Sequence, residues 1–408
     1  ALHAIAKADR RTRDHTLNSL REAIAAVAAG MPVYRTYNGE EASEQDTRFV
    51  DQAIAVARER LERPDSLEPS LWRFLRESLL GRCVEGASTE LVPAVQRFAR
   101  RFQQYSAPVA AKGVEDTAFY RYFPLSSLNE VGGEPDRIGL SVPDFHEASL
   151  DRQRRWPHTM LATSTHDSKR SEDVRLRIDL LSERVGAWRD NVMRWRRMNE
   201  PLRAGVLPEH EYLFYQTLVG ALPATPAPEP DFVQRMVRYM LKAARESKRG
   251  TSWTQPSAGY EKALERFVRG ALAEEGGNAF LPELVDFVHA LEPFSALASL
   301  SLTLLKFCSP GVPDVYQGCE LIERSLVDPD NRRPVDYALR MQALDGLRQV
   351  ADGGELPDRV RQLLDQASDG RAKLWAAWRL LQLRRRLPAL FQSGSYEPLE
   401  VQGRHAAH

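Results

Sequence analysis

The sequence predicts a predominantly α-helical chain with a small α/β portion, and three observations support that class. Apolar residues recur at helical spacing in separate stripes along most of the 408 residues. Strand formers gather in a few short runs, chiefly 32–37, 159–163 and 312–317. The 24 glycines and 25 prolines are too few for a low-complexity chain, so the molecule is expected to be globular.

Taken in order, Leu17, Leu20, Ile24 and Val27 share one helical face, and Gly30 with Pro32 stops that helix. Pro32 to Tyr37 then reads as a strand before a turn at Asn38-Gly39. Phe49 to Leu61 forms a second amphipathic helix closed by Pro64, and 71–80 and 90–105 form two more, so 45–105 is a helical layer. Residues 109–151 lose periodicity and are expected to be largely loop. Thr159 to Thr163 reads as a buried strand. Ile178, Leu181, Val185, Trp188, Val192 and Trp195 make the clearest stripe, expected as one helix. Pro223 to Pro230 is a connector, helices follow at 232–243 and 260–272, and 294–307 is apolar on nearly all sides, as a buried helix is. A turn and short strand at 311–318 and a helix around Leu374 to Arg386 complete the pattern.

Composition excludes several classes. Lys plus Arg and Asp plus Glu are 56 each, so the formal net charge is zero and bulk attraction to nucleic acid has no basis. Nothing approaches roughly 18 consecutive apolar residues, the span of a bilayer. Three cysteines without a CxxC pair indicate neither a disulfide framework nor a zinc site, and a reducing, cytoplasmic compartment is expected. No metal or cofactor is expected.

Chemistry concentrates after the 159–163 run. In Thr165-His166-Asp167-Ser168-Lys169-Arg170-Ser171-Glu172-Asp173, six of nine residues are ionisable. At the C-terminal end of a barrel strand such side chains converge on a mouth, which makes Asp167 the natural catalytic candidate. The alternative is that Asp167 or Ser168 merely caps the following helix.

The run Thr163 to Arg175 resembles the segment around the His-Asp pair of maltooligosyl trehalose synthases, in the α-amylase superfamily of glycoside hydrolase family 13. Ala111-Lys112-Gly113-Val114-Glu115-Asp116-Thr117-Ala118-Phe119-Tyr120, Leu128 to Gly133, Ser309 to Gly318 and Leu326 to Pro334 resemble the same family in the same order. Ser168 stands where a threonine is expected. The resemblance runs from about Pro32 to Pro398.

It implies a (β/α)8 barrel with large helical insertions and a trehalose-forming isomerase. The reducing-end α-1,4 linkage of a maltooligosaccharide becomes an α,α-1,1 linkage without net hydrolysis, through a carboxylate nucleophile and a carboxylic acid. Asp167 is then the third, transition-state-stabilising carboxylate and His166 its hydroxyl-binding neighbour. Lys112, Lys169 and Arg170 are candidates to grip the released glucose, unless they only pair with neighbouring carboxylates. Tyr120 and Tyr122 are candidates to stack on sugars, unless they pack as ordinary aromatics. Asp328 and Asn331 to Arg333 are candidates for the mouth, unless they only form a turn.

The Gly-x-Arg-x-Asp context of the superfamily nucleophile and the acid/base glutamate are not found here; Glu134 to Gly139 is only superficially similar. With 32–37 as strand six, 159–167 as strand seven and 312–317 as strand eight, the earlier strands are expected upstream of Ala1. Tyr396 to Val401 is then the first strand of a β domain. The expected organisation is 1–44 (helix and strand six), 45–158 (insertion), 159–170 (strand seven), 171–292 (helical insertion), 293–370 (buried helix, strand eight and loop) and 371–408. Such a fragment is expected to be inactive by itself. Competing readings are another α-amylase-type hydrolase or transglycosylase, and a non-catalytic helical scaffold.

Overall fold

The computed structural model describes residues 1–39, 41–61, 67–223, 228–273, 279–352 and 356–404. Pro64, the middle of the 223–230 connector and the last four residues lie outside them. The chain divides into two compact units, Ala1–Ala118 and Phe119–His408.

The first unit is helical: α1 (Leu2–Ala8), α2 (Leu17–Gly30), α3 (Glu44–Arg60), α4 (Pro69–Leu79) and α5 (Val92–Ala110). Thr16 caps α2 by accepting the Ser19 N–H, and Ser43 with Asp46 forms a reciprocal capping box on α3. That box starts α3 five residues before the apolar stripe does. Leu20, Ala23 and Val27 of α2 bury with Val50, Ala53 and Ala57 of α3. Pro32 to Tyr37 is not a strand. Its polar groups are served by side chains instead: Ser106 donates to the Tyr34 carbonyl at 2.9 Å, and Asp46 accepts the Tyr37 N–H at 3.1 Å.

The second unit runs α6 (Val142–Arg155), β1 (Met160–Leu161), α7 (Glu172–Asp179), α8 (Val185–Met198), α9 (Pro208–Ala221), α10 (Pro230–Ser247), α11 (Ala258–Ala271), α12 (Phe280–Cys308), β2 (Val312–Pro313), α13 (Tyr337–Asp352), α14 (Leu356–Asp365), α15 (Arg371–Arg386) and α16 (Pro388–Ser393). β1 and β2 pair in parallel, Met160 with Val312 and Leu161 with Pro313. The runs expected as strands seven and eight thus pair in parallel, over only two residues each. They are the only named strands among the described residues, so the structure is mostly helical and no closed barrel is seen.

Several expectations change. Residues 142–155 are helical within the expected loop, with Ser141 as cap and Pro143 in the first turn. The long stripe from Ile178 to Trp195 breaks at 182–184, where a short tight turn separates α7 from α8. β1 is not buried: Met160 is 65% exposed. Tyr396 to Val401 has no strand partner among the described residues, and Leu399 and Val401 are exposed.

The core of this unit is aromatic. Trp195, fully buried, meets Tyr215, Phe280 and Phe287 edge-on at ring separations of 5.6–5.8 Å. α7 lies tightly on α9: a Cβ at Gly220 would stand 2.7 Å from Val174 and 2.8 Å from Ile178. Burying each of those two side chains contributes roughly 1.5–3 kcal/mol. α12 has the length and apolar composition to cross a membrane, yet it packs on α7 and α15. Its inward face carries Glu292, Ser295, Ser299, Thr303 and Lys306, whereas Phe294, Leu297 and Leu305 are half exposed. It is therefore a core helix on one side only, not the fully buried helix that its composition suggests.

Candidate active site

The loop 162–171 leaves β1 and enters α7. Within it the burial pattern is sharply divided: His166 and Asp167 are exposed, whereas Ser164, Ser168, Lys169 and Arg170 are buried. Ser168 Oγ accepts the Thr165 N–H at 2.9 Å, closing the turn locally. Asp167 uses its backbone N–H on Thr165 Oγ1, and neither it nor Ser168 caps α7, whose N-cap is Ser171. Among the described residues the Asp167 carboxylate and the His166 ring have no hydrogen-bond or ion-pair partner. The capping alternative is thus removed, and a carboxylate and an imidazole stand side by side facing solvent.

Two other loops hold this turn. Glu130 reaches across from 128–133, its carboxylate accepting the Lys169 N–H at 2.8 Å and the Arg170 N–H at 3.2 Å. Asn331 donates to the His166 carbonyl at 2.9 Å. Ser171 adds two bonds to the 323–325 segment, its N–H to Ser325 O at 3.0 Å and its hydroxyl to Glu323 O at 2.5 Å. The exposed pair therefore sits on backbone that is fixed from both sides.

Beneath it lies a buried ionic lock. Glu172 and Asp173, both 2% exposed, open α7, where the helix dipole favours negative charge. Lys373 of α15 bridges them at 2.7 and 3.0 Å, and Lys306 of α12 lies 3.6 Å from Glu172 while donating to Thr163 Oγ1 at 2.8 Å. Asp173 also accepts the Ser299 hydroxyl and the Glu323 N–H. Burial by itself would raise the Glu172 pKa, but Lys373 and Lys306 reverse that and bring it down to about 2.

The remaining expected residues fare differently. Arg170 is turned inward, its guanidinium donating to Ser126 O at 3.1 Å and Tyr239 Oη at 2.7 Å, so burial corrects the expectation that it grips sugar. Tyr120 is 3% exposed and packs in the aromatic core, which likewise corrects a stacking role; Tyr122 is exposed. Lys169 is buried at 4% exposure. Lys112 belongs to the first unit, where it is exposed and pairs with Asp116 at 2.5 Å. Among the described residues no group of three His, Cys, Asp or Glu could hold a metal ion.

Sequence reading missed the anchoring role of Glu130, although it lies in a segment that carries the family likeness, and missed Lys306 and Lys373 altogether. Nothing local marks a lysine in a helical stripe as the partner of carboxylates 200 residues away.

No protein-family profile matches the chain. Two curated relatives from two strains of Mycobacterium tuberculosis, provisionally named maltooligosyl trehalose synthases, are each 38% identical over 308 residues. That match takes in 76% of this chain and 36% of theirs. The solved maltooligosyltrehalose synthase of Arthrobacter ramosus is similar at TM-score 0.75 and 34% identity, over 100% of this chain and 47% of that one. A hypothetical maltooligosyl trehalose synthase of Sulfolobus tokodaii is similar at TM-score 0.72 and 28% identity, over 98% of this chain and 50% of that one. The chain thus spans about a third of the curated relatives' length and about half of the solved chains.

Proposed function

Since the chain belongs to the maltooligosyl trehalose synthase family, we propose that it supplies the His166–Asp167 side of an active site that rearranges α-glucans. The observation that carries this reading is the Asp167 carboxylate: exposed, without a partner among the described residues, and mounted on a turn that Glu130 and Asn331 immobilise. A group so placed is preorganised to accept hydrogen bonds from sugar hydroxyls, and those bonds strengthen as positive charge develops on the ring. His166 offers a second hydroxyl partner beside it.

The reaction is the intramolecular transfer of the reducing-end glucose of a maltooligosaccharide. A nucleophilic carboxylate displaces the α-1,4 oxygen from the anomeric carbon as a carboxylic acid protonates that oxygen. The released glucose turns over, and its anomeric hydroxyl attacks the glycosyl-enzyme, giving an α,α-1,1 bond and returning the proton. Substrate and product are isomers, so nothing is gained or lost. β1 and β2 are strands seven and eight of a (β/α)8 barrel in this reading, and the enzyme is cytoplasmic. Lys169 stays a candidate for the grip on the freed glucose, since its place on the turn beside Asp167 is fixed by Glu130. Arg170 instead ties the turn to the interior through Ser126 and Tyr239.

Three carboxylates are needed, and the Gly-x-Arg-x-Asp context of the nucleophile is not in this sequence. We therefore expect no sustained formation of non-reducing product when the purified 408-residue chain is given maltopentaose. Joined to the part of the family it does not span, the chain should convert maltopentaose to product with loss of reducing ends. Asp167→Asn should abolish most of that turnover with the fold intact. Near-normal turnover in Asp167→Asn would overturn the role, and multiplying reducing ends would identify a hydrolase instead.

A further inference from the structure

A cavity of about 460 Å³ opens beside the His166–Asp167 turn, between α10 and the loop 327–333. The two sites share walls. Tyr239, which lines the cavity, holds the Arg170 guanidinium at 2.7 Å. Asn331, between the lining residues Asp330 and Arg332, holds the His166 carbonyl.

The cavity is built rather than incidental. Trp253 at its edge is 55% exposed, an unfavourable place for an indole, yet its ring is fixed. The Arg245 guanidinium lies over it at 4.9 Å and is itself clamped by two bonds to Glu261, at 2.9 and 2.6 Å. The polar lining is just as ordered. Lys242 binds the Asp328 side chain at 2.7 Å and its carbonyl at 2.8 Å, and Arg235 binds both oxygens of Asp330 at 2.7 and 2.9 Å. The Asp328 side chain nevertheless remains 40% exposed, with acceptor capacity left over. Arg238 and Arg332 line the same space; Arg332 acts on the Asp328 carboxylate through its charge, and no ion pair of Arg238 is found among the described residues.

A rigid apolar plate with both donors and acceptors around it is the surface that a pyranose ring requires. Its C–H face lies on an aromatic ring, while its rim of hydroxyls both gives and takes hydrogen bonds. A phosphate would gain from the arginines, since the Asp328 and Asp330 carboxylates are already paired with Lys242 and Arg235, but it has no C–H face to lay on the Trp253 ring. A pyranose uses both the ring and the polar rim.

We propose that this cavity is a secondary subsite for a glucosyl unit of an α-1,4-glucan, stacked on Trp253 and hydrogen-bonded by Asp328, Lys242 and Arg238. The proposal rests on the α-glucan reading above and adds to it a place where the chain is held away from the reacting bond. Because all the groups are on this chain, binding does not require the complete enzyme.

The test is titration of the folded 408-residue chain with maltoheptaose, followed by tryptophan emission and calorimetry. Saturable binding that shifts the emission is expected. Trp253→Ala should weaken it at least tenfold with an unchanged melting temperature, and Asp328→Asn should weaken it severalfold. Equal affinity in Trp253→Ala overturns the subsite while leaving the Asp167 reading standing. Absence of saturable maltoheptaose binding by the folded chain also overturns it, as does a Trp253-dependent response to inorganic phosphate in place of the sugar. Conversely, Trp253-dependent binding together with normal turnover in Asp167→Asn keeps the subsite and removes the catalytic assignment.

Discussion

The carboxylate of Glu130 accepts the backbone N–H of Lys169 across 39 residues of sequence, at 2.8 Å, and takes the next N–H as well. One acidic side chain thereby sets the backbone two residues beyond Asp167. A carboxylate with two backbone donors, nearly buried, contributes more than an ordinary hydrogen bond. Glu130→Ala should leave those two amides unsatisfied, at a cost of about 1–3 kcal/mol. Hydrogen exchange at Lys169 and Arg170 should accelerate at least tenfold in Glu130→Ala and less in Glu130→Gln, which keeps one acceptor oxygen. Unchanged protection at both amides would show that the turn holds itself.

Lys373 is the counterpart below. Burial disfavours its charge, but Asp173 and Glu172 outweigh that and keep its pKa above the usual lysine value. Removing it in Lys373→Met leaves two buried carboxylates short of a cation, and a loss of about 3–5 kcal/mol is expected in urea unfolding at pH 7.

The same lock predicts an acid limb. Glu172 has a folded pKa of about 2 against an ordinary 4.5, so the unfolded chain binds more protons between those values. The stabilisation is complete above pH 4.5 and is lost as pH falls toward 2, a loss of about 3 kcal/mol. Urea midpoints measured across that interval should fall steeply in the parent and much less in Glu172→Gln.

His210 acts at milder pH. It is fully buried, with Nε2 3.1 Å from Ser247 Oγ and Nδ1 against Tyr260, and burial pushes its pKa down from 6.5 to about 4. The folded protein keeps the neutral ring while the unfolded chain takes up a proton. Stability should therefore be full above pH 6.5 and decline as pH falls from 6.5 to 4. His210→Gln should be less stable at pH 7 yet flatter over that interval in thermal melts.

At Gly220 the prediction is steric. An added methyl would meet Val174 and Ile178 well inside contact distance, within a core that has no slack. Gly220→Ala should lower stability by roughly 1–3 kcal/mol despite the better helix propensity of alanine, and an unchanged melting temperature would mean that α7 can shift away.

How far the sequence foretells this arrangement depends on the range of the interactions involved. α2, α3, α10 and α11 are legible because each buries one stripe and exposes the other. α9 is not, because eleven consecutive and near-consecutive positions from His210 to Ala221 are buried on all sides and leave no periodicity to read. The strand expected at 32–37 fails because β formation needs a partner, which no local pattern supplies. The motif singles out His166 and Asp167 as candidates, and both are exposed on the turn. The burial of Lys169, Arg170 and Tyr120 was not legible, since it depends on contacts with 126–130 and α10 that lie far off in sequence.

Lys373 also bears on the order in which the molecule is built. Its bonds to Asp173 close a loop of 200 residues, and non-local closures of that size are slow to form. During synthesis the turn that bears Asp167 leaves the ribosome with its carboxylates already in place but without the lysine that neutralises them. At ordinary elongation rates of about 5–20 residues per second, the missing partner arrives at least several seconds later. The turn that bears Asp167 thus matures only after α15 has been made, and a chain stalled before α15 would have Lys306 beside Glu172 but no lysine joining Glu172 to Asp173.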